Sequence, residues 1–97
     1  MKILVVCNAG MSSSILVKKI AEYAQSIGED ASVQAVSSAS ASDEAGKWDV
    51  CLVAPQIRYM VNDIKAKVGV PTDCVDMRVY AMPDGKAAYE QAKALKG

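Results

Sequence analysis

The sequence predicts an α/β fold: a four-stranded parallel open sheet in the order 2-1-3-4, with helices on both faces as a three-layer α/β/α sandwich. Continuous apolar runs at residues 3–6 and 50–54 have the pattern of central strands covered on both faces. Apolar residues at helical spacing follow both runs. The elements alternate β-α-β-α-β-α-β-α, which implies a parallel sheet sandwiched by helices. Right-handed crossovers then place the first and third strands side by side.

Each element has its own signal. After the first strand, Leu16, Ile20, Tyr23 and Ile27 fall on one face of a helix that starts at Ser14 and stops at Gly28. Residues 31–36 alternate weakly and are expected to form an edge strand. Residues 37–46 are rich in small side chains, the pattern of a loop or a short helix, with Ser40 and Asp43 as a weak cap. Pro55 ends the 50–54 strand and biases Ala54 to an extended conformation. Ile57, Met60, Val61, Ile64 and Val68 then form a helical face, with Met60 in the core and Gly69 and Pro71 as the stop. Residues 74–77 are expected to be the fourth strand. Asp84 caps a last helix with Ala88, Ala92 and Leu95 facing inward.

The chain has 97 residues, of which 52% are hydrophobic, so residues 1–97 are expected to be one domain with one core. No apolar run approaches the ~20 residues needed to span a bilayer. The apolar block after Met1-Lys2 is too short for a signal peptide, and a cytoplasmic protein is expected. Eleven acidic and eleven basic residues give zero net charge, with no basic stripe for nucleic acid. Cys7, Cys51 and Cys74 are widely spaced, without a C-x-x-C pair, so no metal site is expected. There is no histidine. That excludes Cys-His and Ser-His nucleophile pairs within the chain, and a phosphohistidine on it.

In an open α/β sheet, ligands bind at the carboxyl ends of the strands where the chain order reverses. That point lies between Cys7 to Ser14 on one side and Ala54-Pro55-Gln56 on the other. Asn8, Ala9, Gly10, Met11, Ser12 and Ser13 have the properties of an anion cradle: small residues and a glycine let backbone N–H groups turn inward. The following helix adds unpaired N–H groups and the positive end of its dipole. A cysteine beside such a site can attack phosphorus and hold the phosphoryl group. Against this stands core packing of a small apolar residue, with the serines only capping the helix. Cys51 lies inside an apolar strand and is expected in the core, as is Cys74.

Known loop patterns fit incompletely. The Walker loop and the three-glycine dinucleotide fingerprint are both absent. The Cys-x5-Arg loop of a low-molecular-weight tyrosine phosphatase is closer, but the arginine position holds Ser13. The bidentate clamp on the transition-state oxygens is therefore missing.

The run Cys7-Asn8-Ala9-Gly10-Met11-Ser12-Ser13-Ser14 resembles the C-S-A-G-M-S-T-S loop of enzyme IIB of the lactose/cellobiose class, in the phosphoenolpyruvate-dependent sugar phosphotransferase system (PTS). Residues 54–60, APQIRYM, are similar to that family's G-P-Q-I-x-Y-M stretch. The resemblance extends over nearly the whole chain. It implies that Cys7 accepts a phosphoryl group from a phosphohistidine on enzyme IIA. Cys7 then passes it to a sugar held by the membrane transporter, enzyme IIC, without a cofactor. It also implies a phosphate loop at residues 8–14, with Pro55, Gln56 and Tyr59 beside it, and a β-linked disaccharide such as cellobiose or diacetylchitobiose as the sugar; a monomer suits a carrier that must meet two partners. For Gln56 and Tyr59 the structural alternatives are a loop cap and a helix-packing aromatic. Met11 is a candidate partner contact. A phosphatase-like or arsenate-reductase-like enzyme and a regulatory anion-binding module are the competing readings of the residues.

Overall fold

In a computed structural model, which describes residues 1–8 and 14–97, four parallel strands form one sheet in the order β2-β1-β3-β4. They are β1 (Lys2–Cys7), β2 (Ser32–Ser37), β3 (Val50–Val53) and β4 (Thr72–Cys74). The helices are α1 (Ser14–Ser26), α2 (Val61–Val68), α3 (Met77–Ala81) and α4 (Gly85–Lys96). Two 3-10 segments, Ser38–Glu44 and Pro55–Met60, complete the chain. The expected order and layers are both present. The order reverses between β1 and β3, which pair in parallel with Val6 opposite Val53.

Period-two alternation sorts the central strands between two cores. Ile3, Val5, Val50 and Leu52 face α1 and α4, packing with Leu16, Ile20, Ala88 and Tyr89. Leu4, Val6, Cys51 and Val53 face the other way, packing with Ile57, Ile64 and Val68. Both faces of β1 and β3 are therefore dry, and the two strands form a rigid centre. The start of α4 lies directly on α1: a Cβ on Gly85 would collide with the backbone carbonyl of Lys19. Glycine is required there by close approach.

Several boundaries differ from the sequence expectation. β4 is Thr72–Cys74, not residues 74–77. Asp76 leaves the strand because its carboxylate accepts the Arg78 N–H at 2.8 Å, and this cap opens α3 at Met77. The helix after β3 begins as a 3-10 turn at Pro55, with a non-helical Ile57. Proline at the first helical positions has φ already set for that turn. α1 stops at Ser26, so Ile27 is 43% exposed and not part of the apolar face. The Ser40–Asp43 cap does not form; the 3-10 segment starts after Ser37, whose hydroxyl bonds that of Ser40 at 3.4 Å. Asp84 does cap α4, accepting the Ala87 N–H at 3.1 Å. Met60 is half-buried against the α2-side core. No helix among the described residues is long and apolar enough to cross a membrane.

Candidate functional site at the carboxyl end of the sheet

Cys7 is the last residue of β1 and is fully buried. It packs with the α2-side cluster. Its strand neighbours fix it on both sides: Cys7 pairs with Ser37 of β2, and the preceding Val6 pairs with Val53 of β3. Beyond that pair, the Ala54 N–H donates to the Val6 carbonyl at 2.8 Å. This bond holds the 54–56 segment against the end of β1. Ala54 is extended, with φ −62° and ψ 143°, as the following Pro55 demands. The alanine is therefore unstrained.

Around this point the sequence-predicted residues separate. Asn8 is exposed and directly follows Cys7; Ser14 is exposed and opens α1. Ala9, Gly10, Met11, Ser12 and Ser13 lie outside the described residues. Pro55 is buried, whereas Gln56 projects to solvent. Tyr59 is 80% exposed. A tyrosine that packed a helix would be covered, so the structural alternative for Tyr59 is wrong. Met60, Ile57 and Val61 fill that role.

The electrostatics single out one helix start. α1 has no acidic residue in its first turn. α2 has Asp63 there, and α3 and α4 are capped by Asp76 and Asp84. The positive end of the α1 dipole is thus the one among the four helices with no carboxylate against it. The sequence around it is also acid-free. No Asp or Glu occurs in residues 1–21, 31–42 or 54–62, which include the connections leaving β1, β2 and β3. An anion meets no repulsion from these segments.

The other two thiols differ from Cys7 in kind. Cys51 is interior to β3, and burial pushes its thiol up to about 12, which makes it inert at neutral pH. Cys74, expected in the core, is instead half-exposed at the end of β4. Burial pushes its thiol up as well, and Asp73 adds to the effect. Its sulfur donates to the Val75 carbonyl at 3.3 Å. Cys74 stands two strands from Val6, roughly 10 Å at ordinary strand spacing, which is beyond disulfide reach of Cys7.

Sequence reasoning missed Arg58. Its side chain lines a surface groove of about 530 Å³ with Pro55, Cys74, Asp76, Met77 and Gln91. The signal was present: Arg58 is the one charged residue in residues 54–62. It joins no ion pair among the described residues; those that form are Lys47–Glu44, Lys67–Asp63, Lys93–Glu29 and Lys96–Asp49. No cluster of metal-ligating side chains occurs among the described residues.

Residues 2–91 match the family described as "PTS system, Lactose/Cellobiose specific IIB subunit". The chain is 42% identical to the oligo-beta-mannoside-specific EIIB component of Bacillus subtilis (strain 168), covering 97% of this chain and 94% of that one. It is 35% identical to the galactose-specific EIIB component of Lactococcus lactis subsp. cremoris (strain MG1363), covering 92% and 90%. Among solved structures, the cellobiose-specific phosphotransferase IIB component from Borrelia burgdorferi superposes with a TM-score of 0.81 at 33% identity, covering 98% of this chain and 90% of that one.

Proposed function

The chain belongs to the lactose/cellobiose-specific IIB family of the phosphotransferase system, and from that premise we propose that Cys7 is a phosphoryl carrier between enzyme IIA and enzyme IIC. The observation that supports it best is the position of Cys7. It ends the central strand at the point where the chain order reverses, next to the one helix start that has no carboxylate. Residues 1–97 act as a single IIB domain on the cytoplasmic side of the membrane.

In the first step the Cys7 sulfur, as thiolate, attacks the phosphorus of a phosphohistidine on enzyme IIA. The P–S bond forms as the P–N bond breaks, and the imidazole nitrogen keeps the electron pair and takes up a proton. In the second step a hydroxyl of the sugar in enzyme IIC attacks the same phosphorus. The P–O bond forms, the P–S bond breaks, and the hydroxyl proton leaves to solvent or a base of the transporter. The chain needs no histidine and no cofactor for either step. Residues 8–14 supply N–H donors to the phosphoryl oxygens, and the α1 dipole stabilises their charge. The missing arginine at Ser13 fits this role. A carrier must hold phosphate without hydrolysing it, whereas a phosphatase needs that clamp on its transition state.

The sugar is a β-linked oligosaccharide. This reading is supported by the oligo-beta-mannoside specificity in the name of the Bacillus relative and the cellobiose specificity in that of the Borrelia protein, ahead of the galactose specificity in that of the less similar Lactococcus relative. Reconstitution tests the whole relay. Membranes with the cognate enzyme IIC, phosphorylated enzyme IIA and this protein are expected to yield phosphorylated cellobiose or mannobiose. Replacing the protein by Cys7→Ser removes that product. Full product formation with Cys7→Ser would overturn the proposal.

A further inference from the structure

We infer that Ser37, at the end of β2, donates its hydroxyl to the phosphoryl group carried on Cys7, so that the end of β2 is a further wall of the phosphate site. This rests on the carrier role just proposed. Cys7 has a strand neighbour on each side, and the two differ. On the β3 side the ladder ends at Val6 opposite Val53. The next residue, Ala54, brings no side-chain donor and gives its N–H to the Val6 carbonyl at 2.8 Å. On the β2 side the ladder runs one residue further, and Cys7 itself is paired with Ser37. Neighbouring strands in register stand about 4.8 Å apart, with paired side chains on the same face. Two contacts turn both side chains toward the 3-10 segment Ser38–Glu44. Cys7 packs in the cluster that includes Ala41 of that segment. The Ser37 hydroxyl meets the hydroxyl of Ser40 in the same segment at 3.4 Å.

The fold leaves this hydroxyl almost uncommitted. A serine placed just before a helix ordinarily caps it by accepting an N–H. Ser37 stands in that place, with φ −78° and ψ 160°, yet its side chain accepts no cap bond. Its contact with Ser40, at 3.4 Å, is longer than the ~2.7–2.8 Å of an ordinary O–H···O bond. Ser40 is exposed, so water takes its place at little cost. Ser37 is half-buried, and no Asp or Glu lies between Asp30 and Asp43 to claim its proton. Once Cys7 is phosphorylated, the phosphoryl oxygens extend past the sulfur by an S–P and a P–O bond. The Ser37 hydroxyl then turns from Ser40 to one of these oxygens. The new bond is charge-assisted, hence shorter and stronger than the one it replaces. No covalent bond to Ser37 forms or breaks. A donor in this position stabilises the phosphorylated chain relative to phosphorylated enzyme IIA, and so sets how phosphate divides between the two proteins.

The test reads that division directly. Phosphorylated enzyme IIA from a lactose/cellobiose system is mixed with an equal amount of this protein, and phosphate on each chain is measured at equilibrium by intact-mass spectrometry at neutral pH. Ser37→Ala is expected to shift the partition toward enzyme IIA about tenfold, the lower end for a lost hydrogen bond to a charged group. Ser37→Thr keeps a hydroxyl donor and is expected to stay within about twofold of the native protein. Ser40→Ala removes only the present acceptor on the surface and is expected to stay within about twofold as well. The phosphorus NMR resonance of the phosphocysteine is expected to move in Ser37→Ala and to hold its place in Ser40→Ala. A native partition in Ser37→Ala, with phosphate on Cys7, would overturn the inference and leave the carrier role standing. Equal shifts in Ser37→Ala and Ser37→Thr would also overturn it, because the site would then depend on the shape of serine and not on its hydroxyl. Absence of phosphate on Cys7 of the native chain would refute the carrier role, and the inference with it.

Discussion

The two ends of the sheet use charge in opposite ways. At the amino end, Lys93 pairs with Glu29 at 2.9 Å and Lys96 with Asp49 at 3.7 Å. The Tyr89 hydroxyl donates to Glu29 at 2.8 Å, and the Lys2 N–H donates to Asp49 at 2.9 Å. Those bonds tie α4 to the end of α1 and to the starts of β1 and β3. At the carboxyl end Arg58 joins no ion pair among the described residues and the helix start beside Cys7 lacks a carboxylate. At the amino end the carboxylates bond lysine side chains, whereas at the carboxyl end Asp73, Asp76 and Asp84 bond backbone N–H groups. Charges bonded within the fold act on stability, whereas charges left open act on association.

The comparison breaks most visibly at Tyr89. This ring is the largest fully buried side chain and meets Tyr23 edge-on at 5.8 Å. Tyr89→Ala is expected to cost about 3–5 kcal/mol in urea unfolding, while transfer by the folded fraction is unchanged. Loss of transfer with stability intact would merge the two ends into one. Gly85→Ala is the next largest. It belongs to the carboxyl end yet is structural, because its Cβ would strike the Lys19 backbone. It is expected to lower stability by about 1–3 kcal/mol, seen as an earlier urea midpoint.

Acid sharpens the comparison further. Hydrogen bonds from Lys93 and then Tyr89 hold the Glu29 carboxyl below its ordinary 4.5. The Lys2 N–H, with Lys96 nearby, holds Asp49 below 3.8. Both pKa values are lower in the folded than in the unfolded chain. Their contribution to stability is therefore complete above those ordinary values and is lost as pH falls through the lowered ones. Thermal melts are expected to be flat from pH 7 to about 5 and to fall below about 4.5. Glu29→Gln/Asp49→Asn is expected to flatten the fall, and an unchanged fall would show that other carboxylates dominate. The smallest effect on stability is expected from Tyr59→Ala/Met77→Ala at the exposed rim: within about 0.5 kcal/mol, read by urea unfolding, alongside weaker binding of enzyme IIA. A loss above ~2 kcal/mol would make these side chains structural.

Much of the fold was legible because its centre is repetitive. The short, β-branched apolar runs around Val5 and Leu52 have the length and composition of strands buried on both faces, and Leu16, Ile20 and Ile64 recur at helical spacing. Misreadings fell where short polar contacts outweigh periodicity. Asp76 closes β4 with a single backbone bond, so Met77 reads as strand but starts a helix. Likewise, Cys74 looks like Cys51 in sequence, but it sits on a three-residue edge strand and is half-exposed. The site was legible at Cys7 because strand end, small-residue loop and helix start are contiguous in sequence. Arg58, Asp76 and Met77 come to share a groove with Pro55 only through the fold.

Phosphopeptide mapping after a brief reaction with phosphorylated enzyme IIA, under neutral conditions that preserve a thiophosphate ester, tests the central claim most directly. One phosphate per chain is predicted on the peptide containing Cys7, with none on the peptides containing Cys51 or Cys74. Phosphate on a peptide lacking Cys7, or a Cys7→Ser chain that relays phosphate to sugar at the native rate, would contradict it.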